Sequence, residues 1–336
     1  MSRVARPRVG LVLGGGGVLG AAWLMGAVSA LERETGWRPR DANLLMGTSA
    51  GSVVAALAAG SDRPWNMIEA GGESEFLDVM AAAVYSVERP ARWMRWGSWR
   101  MVVETWRGGG DAALSRIWAG LLPHGLISTR HLEGTIDRRV ERWPTRPRLW
   151  IIATDYDSGA RHVFRGPGPD GITVGRAVAA SCAIPGFYRP VRIGSRLYID
   201  GGVASSTNID LLHGRRLDLV ICMLPLSPMR AVARRTPSMR FRALLQRRLM
   251  RQIKQVEDAG TRVVLIEPEG AAADLIGLNF MNRSRSRAVA HAAARTVHER
   301  LRESDTRQLL EAYGVAGPGI GRPARPGRSA LRGSGS

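Results

Sequence analysis

The chain contains 336 residues, of which 45% are hydrophobic, and its formal net charge at pH 7 is +19. This length and apolar content allow a large buried core and exclude an intrinsically disordered chain. The positive charge favours anionic partners such as nucleic acid or lipid head groups, but it does not choose between them.

The cysteines and the first apolar segment bear on the compartment. Cys182 and Cys222 each lie in an apolar stretch without a second Cys or a His at ligand spacing. This pattern excludes a disulfide framework and a Cys-rich zinc site, and it favours a reducing compartment. The run Val9–Leu13 is too short for a signal peptide, and no run reaches the roughly 18 apolar residues of a membrane-spanning helix. We therefore expect a cytoplasmic protein.

Strands and helices alternate along the chain. Apolar runs bounded by turn residues predict strands, and segments with helical character lie between them. The predicted strands are Val9–Leu13, Leu44–Met46, Leu149–Ala153, Leu219–Leu224 and Val263–Ile266, and the predicted helices cover about 21–34, 50–59, 173–183 and 285–303. This alternation favours an α/β fold with a mostly parallel central sheet.

Two regions interrupt the alternation. Residues 62–125 are helical in places and rich in tryptophan, which predicts a helical cap inserted into the α/β domain. Residues 229–254 contain eight arginines and Lys254 but no acidic residue, and their apolar positions predict a basic surface helix within about 229–258. The tail 317–336 is rich in Gly, Pro, Ser and Arg, and we expect it to be disordered.

A serine lies at the junction of the second predicted strand and its helix. Gly47-Thr48-Ser49-Ala50-Gly51 matches G-x-S-x-G, in which a sharp turn exposes the serine Oγ and the flanking glycines remove clashing Cβ atoms. The helix that follows directs its N-terminal N–H groups toward developing negative charge. This context favours a nucleophilic serine, and the alternative is a glycine-rich turn in which Ser49 caps the helix.

The first glycine run allows a different interpretation. Gly15-x-Gly17-x-x-Gly20 formally satisfies the dinucleotide-binding fingerprint of NAD(P) enzymes. That fingerprint needs an acidic residue at the end of the second strand, whereas Asp41 precedes that strand. No Gly-Lys-Ser/Thr follows, which excludes a P-loop. The remaining use of Gly14–Gly17 is a nest of backbone N–H groups that holds an oxyanion beside Ser49.

A nucleophilic serine needs a base, and an aspartate fits this role better than a histidine. None of the histidines lies in an obvious loop after a strand, and His213 has the character of a solvated helix end. Asp200, in "RLYIDGGVASSTN", stands where an apolar strand ends, and Gly201 and Gly202 leave space beside it. The alternative for Asp200 is an aspartate that merely begins a Gly-Gly turn.

Four segments together resemble one family. "GGGGVLG" begins at Gly14, "GTSAG" at Gly47, "AASCAIPGFYRPV" at Ala179 and "DGG" at Asp200, in the order and approximate spacing of the patatin-like phospholipases. The resemblance covers about residues 8–300 and implies a three-layer α/β/α sandwich with a mostly parallel sheet. It also implies hydrolysis of lipid acyl esters by a Ser–Asp dyad, without a metal or another cofactor. The catalytic domain would span about 8–305, after a basic extension of residues 1–7.

The resemblance assigns roles to individual residues. Ser49 would be the nucleophile and Asp200 its base, while "SCAIPGF" (181–187) would form a wall of the pocket with Cys182 as a small apolar filler. The implied oxyanion hole uses backbone N–H groups of Gly15, Gly16, Gly17 and Ala50. Glycines expected to support the motifs are Gly14, Gly20, Gly47, Gly51, Gly201 and Gly202. At Leu19 the family often carries a basic residue, so a contact to an anionic head group is not expected from that position.

The tryptophans of residues 62–125 bear on how a substrate reaches the site. They are Trp65, Trp93, Trp96, Trp99, Trp106 and Trp118, and arginines lie between them. We expect most of them to pack in a cap over the core; a lid that contacts an anionic membrane surface is the alternative. The expected partner is a lipid or another acyl ester, with peripheral contact to the inner membrane surface as a possible addition. A basic nucleic-acid-binding protein is the competing class, but no motif that reads nucleic acid supports it.

Overall fold

A computed structural model describes residues 6–60, 97–109, 113–226, 238–277, 279 and 281–317. Its strands are β1 (Val9–Leu13), β2 (Leu44–Thr48), β3 (Arg148–Asp155), β4 (Arg161–Phe164), β5 (Val191–Ile193), β6 (Arg196–Asp200), β7 (Leu219–Met223) and β8 (Arg262–Ile266). They form one mixed sheet with the hydrogen-bonded order β5-β6-β3-β2-β1-β7-β8, and β4 pairs with β3. The pairs among β1, β2, β3, β7 and β8 are parallel, while β4, β5 and β6 pair antiparallel. The predicted mostly parallel sheet is confirmed.

Helices connect these strands and cover both faces of the sheet. They are α1 (Gly17–Thr35), α2 (Ala50–Gly60), α3 (Trp99–Gly108), α4 (Ala113–Leu121), α5 (Arg130–Asp137), α6 (Val174–Ser181), α7 (Ser238–Asp258), α8 (Ala271–Ile276), α9 (Ser286–Arg302) and α10 (Ser304–Ala312). The first helix begins four residues before its predicted start, because the turn after β1 closes at Gly16. Short 3₁₀ helices cover Pro39–Asp41, Gly201–Val203, Ile209–Leu212 and Arg283–Arg285.

The core is divided by the sheet into two apolar layers, which confirms the predicted three-layer α/β/α arrangement. One layer is packed by α1, α2, α6 and α9, whose buried residues include Trp23, Val54 and Val289. The other layer is packed by α7, which buries Leu249, Ile253 and Val256 against the sheet as the spacing of these residues predicts. Residues after 305 also belong to this body, because Leu310 and Val315 join the first layer.

The Trp-rich insertion is helical in its described part, α3 and α4. Trp99, Trp106 and Trp118 are all exposed, so the expectation that such tryptophans pack in a cap is wrong for these three. The inward positions of the two helices are occupied instead by Met101, Thr105, Ala119 and Gly120. Trp65, Trp93 and Trp96 lie outside the described residues, as do 1–5, 227–237 and 318–336. Within the described part of the chain, no helix is both long enough and apolar enough to cross a membrane.

Candidate active site

The register of three strands brings Ser49 and Asp200 together. At the end of β2, Thr48 pairs with Ile152 of β3, and at the end of β6, Asp200 pairs with the next residue, Ala153. The two strands therefore end at consecutive positions along β3. Ser49 follows directly, and its Oγ donates a hydrogen bond of 2.6 Å to Asp200 Oδ2. Both side chains are buried.

Ser49 occupies a sharp turn between β2 and α2. Its φ of 53° lies in the left-handed region, which is uncommon for a residue with a Cβ atom. The turn forces backbones together: a Cβ on Gly47 would lie 2.5 Å from the Gly51 carbonyl oxygen, and one on Gly51 would overlap the Leu13 carbonyl. The glycines of G-x-S-x-G are thus required by close packing of the turn against itself and against β1.

Two further serines hold the turn in place. The backbone N–H of Ser49 donates to Ser181 Oγ at 2.9 Å, and Ser181 Oγ donates to the Ile152 carbonyl at 2.6 Å. Ser52 Oγ donates to the Ser49 carbonyl at 2.6 Å. These bonds satisfy the buried polar groups on both sides of the strained residue and fix its orientation. Neither hydrogen-bonding role was predicted from the sequence, although Ser181 begins the segment 181–187 that was expected to form a wall of the pocket.

Asp200 is held as a hydrogen-bond acceptor in an apolar setting. Its Oδ1 accepts the Gly202 N–H at 2.7 Å, and Oδ2 accepts the Ser49 hydroxyl. Burial raises the pKa of Asp200 from its ordinary 3.8 to about 6, because removing the carboxylate from water outweighs the opposing effect of these two hydrogen bonds. The carboxylate is consequently a stronger base than an exposed aspartate, and it is still ionised at neutral pH.

Asn208 connects the serine strand with the loop that follows Asp200. It lies in the left-handed region with φ 54°, and its buried Nδ2 donates to Thr48 Oγ1 at 3.1 Å and to the Ser205 carbonyl at 2.7 Å. Thr48 immediately precedes Ser49, so this amide ties the loop to the serine turn. Nothing in the sequence around Asn208 predicted this role.

The two glycine-rich turns present backbone N–H groups at one edge of the sheet, but not all of them face the site. Gly14 and Gly15 donate their N–H groups to the carbonyls of Met223 and Ser206, both at 2.9 Å. The inclusion of Gly15 among the oxyanion donors is therefore corrected, because its N–H is used in the fold. Gly16, Gly17 and Ala50 remain as candidates. Gly17 and Ala50 are the first residues of α1 and α2, where the initial N–H groups have no partner within the helix.

A small cavity of about 30 Å³ adjoins Ser49. A volume of this order holds about one or two water molecules. The walls are mostly apolar and consist of Gly17, Val18, Ser49, Ala50, Val53, Leu132, Cys182, Ile184, Tyr188 and Met281. Cys182 and Ile184 come from the segment 181–187, as the resemblance implies.

The other nucleophile and base candidates are placed elsewhere or held in the wrong protonation state. Burial raises the pKa of the Cys182 thiol, which keeps it protonated beside the cavity. His162 packs against Phe164 and Tyr198, and exposed His213 bonds the Gln255 carbonyl at 2.9 Å, as expected of a solvated helix end. The hydroxyl partner of Asp200 in this structure is Ser49.

Asp41 does not lie where the dinucleotide fingerprint needs an acidic residue. Asp41 precedes β2, at the opposite end of the strand from Ser49, and its carboxylate lies 3.2 Å from the Arg38 guanidinium. It cannot serve the dinucleotide fingerprint from there. Over the described ranges of the chain, no three His, Cys, Asp or Glu side chains are grouped as a metal site would need.

Fold and geometry together define the class: an α/β protein with a serine on a strand-to-helix turn and a buried aspartate at its hydroxyl. Comparison with known proteins identifies the family. Residues 11–213 match the patatin-like phospholipases, so the chain belongs to the patatin-like phospholipase family. Among curated proteins it is similar to uncharacterized protein YqhO of Bacillus subtilis (strain 168), with 31% identity over 225 residues that cover 62% of this chain and 68% of YqhO.

Among solved structures, VipD from Legionella pneumophila is similar at a TM-score of 0.46 and 15% sequence identity. The superposition covers 92% of this chain and 68% of VipD.

Proposed function

We propose that this protein is a serine acyl hydrolase that cleaves carboxylic ester bonds of lipids with Ser49 and Asp200. The observation that carries the proposal is the 2.6 Å hydrogen bond from Ser49 Oγ to Asp200 Oδ2, on a strained turn beside the N-termini of two helices. A buried serine–carboxylate pair in strained backbone is costly for the fold, and such strain is typical of functional sites. Membership of the family supports a lipid as the substrate class.

The reaction is acyl transfer to water in two steps. Ser49 Oγ attacks the ester carbonyl carbon as its proton passes to Asp200, and backbone N–H groups of Gly16, Gly17 and Ala50 stabilise the oxyanion. The intermediate collapses, the ester C–O bond breaks, and the leaving alcohol takes the proton from Asp200. Water then attacks the acyl-serine and gives its proton to Asp200. This second intermediate collapses, the bond between the acyl carbon and Ser49 Oγ breaks, Asp200 returns the proton to Ser49 Oγ, and the carboxylic acid departs. Each oxyanion donor typically lowers the barrier by about 3–4 kcal/mol, and general-base assistance contributes roughly 10²–10⁴ in rate.

Substitution of the two residues tests the proposal directly. A fluorophosphonate probe should label the wild type, and Ser49→Ala should abolish labelling and lower kcat/KM for an ester by about 10⁴-fold or more. Asp200→Asn should lower the same constant by roughly 10²–10⁴-fold while the fold is retained. Asp41→Asn is the matched control, because it changes the same side chain outside the site and also removes the acidic residue that a dinucleotide site would use; it should leave kcat/KM unchanged.

The opposite results would reject this function. An unlabelled wild type that binds NAD(P) or nucleic acid tightly would favour one of the alternative classes. Full turnover by Asp200→Asn would show that another group accepts the proton. Product analysis by mass spectrometry over a panel of phospholipids, lysophospholipids, neutral lipids and short esters would then define the acyl and head groups.

The pH dependence of kcat/KM should follow the ionisation of the Asp200 carboxylate. Asp200 must be ionised to accept the serine proton, and burial places its pKa at about 6. The kcat/KM of the wild type should therefore fall as pH decreases through about 6, with one proton taken up. A profile that stays flat down to about pH 4.5 would show that a more acidic group, and not buried Asp200, is the base.

A further inference from the structure

The outer surface of α3 and α4 exposes three tryptophans. Trp99, Trp106 and Trp118 are 70%, 79% and 61% exposed. The two helices rest on one small core cluster, to which Met101 and Ala119 contribute. Large exposed apolar side chains are expensive in water, and a group of them usually marks an interaction surface. We call this surface, formed by Trp99, Trp106, Leu114, Trp118, Leu121 and Leu122, the tryptophan surface.

Each helix places its apolar residues in a stripe that faces away from the core cluster. On α3, Trp99, Val103 and Trp106 follow one another at spacings of four and three residues, opposite buried Met101 and Thr105. On α4, Leu114, Trp118 and Leu121 repeat the same spacing. The helices pack closely where they cross, since a Cβ on Gly120 would lie 2.8 Å from a Val102 methyl group. The two stripes therefore lie on the outer sides of two helices that pack against each other.

Arginines lie along the edge of the tryptophan surface. Arg100 and Arg107 each follow one of the α3 tryptophans and are exposed. Glu104 is the acidic residue of α3, and it lies 3.7 Å from Arg107. Exposed indoles with guanidinium groups at their margin match the chemistry of a bilayer interface, where the indoles enter the head-group boundary and the arginines contact phosphate.

The tryptophan surface continues to the rim of the candidate site. The Leu122 side chain lies against Gly186, with 3.3 Å between its Cδ1 and the position of a Cβ there. Phe187, the next residue, is 38% exposed, and Tyr188 after it lines the cavity beside Ser49. Ile127 forms a bridge with Tyr188, which fixes the segment after α4 to this rim. A surface that lay on a membrane here would bring the cavity close to lipid.

We propose that the tryptophan surface docks the protein on a lipid bilayer that contains anionic phospholipids. The proposal rests on the proposed lipid hydrolase function, because continuity with a site that consumes lipid favours a bilayer over a protein partner or a second copy of the chain. The marginal arginines and the net charge of +19 specify the anionic component. Docking would hold the ester near the mouth of the site and let a chain enter without crossing water.

Vesicle binding by an inactive protein tests the docking separately from the chemistry. The Ser49→Ala protein is mixed with vesicles of phosphatidylcholine, or of phosphatidylcholine with phosphatidylglycerol, and bound protein is measured by sedimentation. We expect stronger binding to the anionic vesicles. Trp99→Ala, Trp106→Ala and Trp118→Ala combined should weaken it more than about tenfold, because each indole loses a large buried apolar area. Near-ultraviolet circular dichroism checks that the triple variant is folded.

A double variant elsewhere supplies the matched control. Leu244 and Met250, both 45% exposed on basic α7, are replaced by alanine, and binding should stay unchanged. Equal binding by the triple variant and its parent, no binding by the parent, or loss of binding in the α7 control alone would overturn the proposal. So would a dimer in the absence of lipid that the triple variant abolishes. If the protein bound vesicles but the wild type were not labelled by the fluorophosphonate probe, the proposed hydrolase function would be rejected, whereas the proposed docking surface would be supported.

Discussion

The chain forms two similar strand–turn–helix units. Their turns lie side by side at the carboxyl ends of two neighbouring strands in the middle of the sheet. β1 leads into α1 through Gly14–Gly17, and β2 leads into α2 through Ser49. Each turn contains one residue with positive φ, 59° at Gly17 and 53° at Ser49. In the first turn this residue is a glycine, for which the conformation is nearly free of cost. In the second it is a serine, whose Cβ makes the same conformation cost about 1 kcal/mol or more.

The difference shows what each turn contributes to the site. The first turn offers only backbone N–H groups, so it needs no side chain. The second presents a hydroxyl, and Ser181 and Ser52 hold its backbone with hydrogen bonds of 2.9 Å and 2.6 Å to Ser49. Within these two turns, the strained conformation of a residue with a Cβ atom is confined to Ser49, the nucleophile of the proposed mechanism. The buried carboxylate of Asp200 adds a second free-energy cost beside this turn.

Gly51 and Gly20, near the starts of α2 and α1, differ in what an added Cβ would meet. In Gly51→Ala the new Cβ would overlap the Leu13 carbonyl, a backbone group that cannot move without separating β1 from α2. We expect a loss of about 4 kcal/mol or more in the free energy of unfolding, at the upper end of single substitutions. Urea unfolding and the yield of folded protein measure it.

Gly20→Ala in the first unit is the matched control. Its Cβ would lie 3.1 Å from Pro225 Cγ, a contact that is too close by only a few tenths of an ångström, and alanine also favours the helix. The change in stability should stay within about 1 kcal/mol. Equal effects of the two substitutions would contradict the steric distinction between the turns.

Because Asp200 is a buried carboxylate beside the second turn, the stability of the protein should depend on pH. Because the folded pKa of Asp200, about 6, lies above its ordinary 3.8, its contribution to stability is complete below about pH 4 and is lost as pH rises through 6. Asp200→Asn removes this titration. The stability of the variant relative to the wild type should increase by roughly 2 kcal/mol between pH 4 and pH 8, as urea unfolding at several pH values would measure.

Asp155, in the same sheet, should contribute a pH dependence of stability of the opposite sign, and it serves as the control. Burial tends to raise the pKa of Asp155, but hydrogen bonds from Ser158 and Arg196 together outweigh it and hold the pKa below its ordinary value. Its contribution to stability is present above that ordinary value and is lost as pH falls through the folded pKa. Asp155→Asn should therefore lose stability relative to the wild type at pH 8, and the gap should narrow in acid. If the stability of both variants changed with pH in the same direction, the raised pKa of Asp200 would be contradicted.

Much of the fold and the pairing of two residues of the candidate site were predictable from the sequence. Val9–Leu13 is a strand with the predicted ends, and β6 ends at Asp200 as its apolar run indicates. Local signals suffice in these cases: apolar runs define buried strands, and glycines mark places where backbones approach. The pairing of Ser49 with Asp200, 151 positions apart, came from four segments considered together.

Features that depend on register and side-chain direction were not predictable. The N–H of Gly15 looked equivalent to those of Gly16 and Gly17, but the distant Ser206 carbonyl takes it. Asn208 holds Thr48 through a contact between remote segments that no local pattern encodes. The exposure of Trp106 depended on which face of α3 meets the core, and that face is set by Tyr156 and Ile199, which lie far along the chain.

Substitution of Ser49 by glycine, the residue at the equivalent position of the first turn, measures the free-energy cost of the strained conformation at Ser49. Ser49→Ala and Ser49→Gly both remove the hydroxyl and its bond to Asp200, so both should be inactive and unlabelled. They differ only in whether a Cβ remains at φ 53°. Ser49→Gly should therefore be more stable than Ser49→Ala by about 1 kcal/mol in urea unfolding, whereas glycine at an ordinary helical or extended position would be less stable. Gly17→Ala adds a Cβ at φ 59° in the other turn and should cost a similar amount. If Ser49→Ala proved the more stable of the pair, the serine would relax out of the left-handed region in solution, and the preorganised nucleophile would be lost with it.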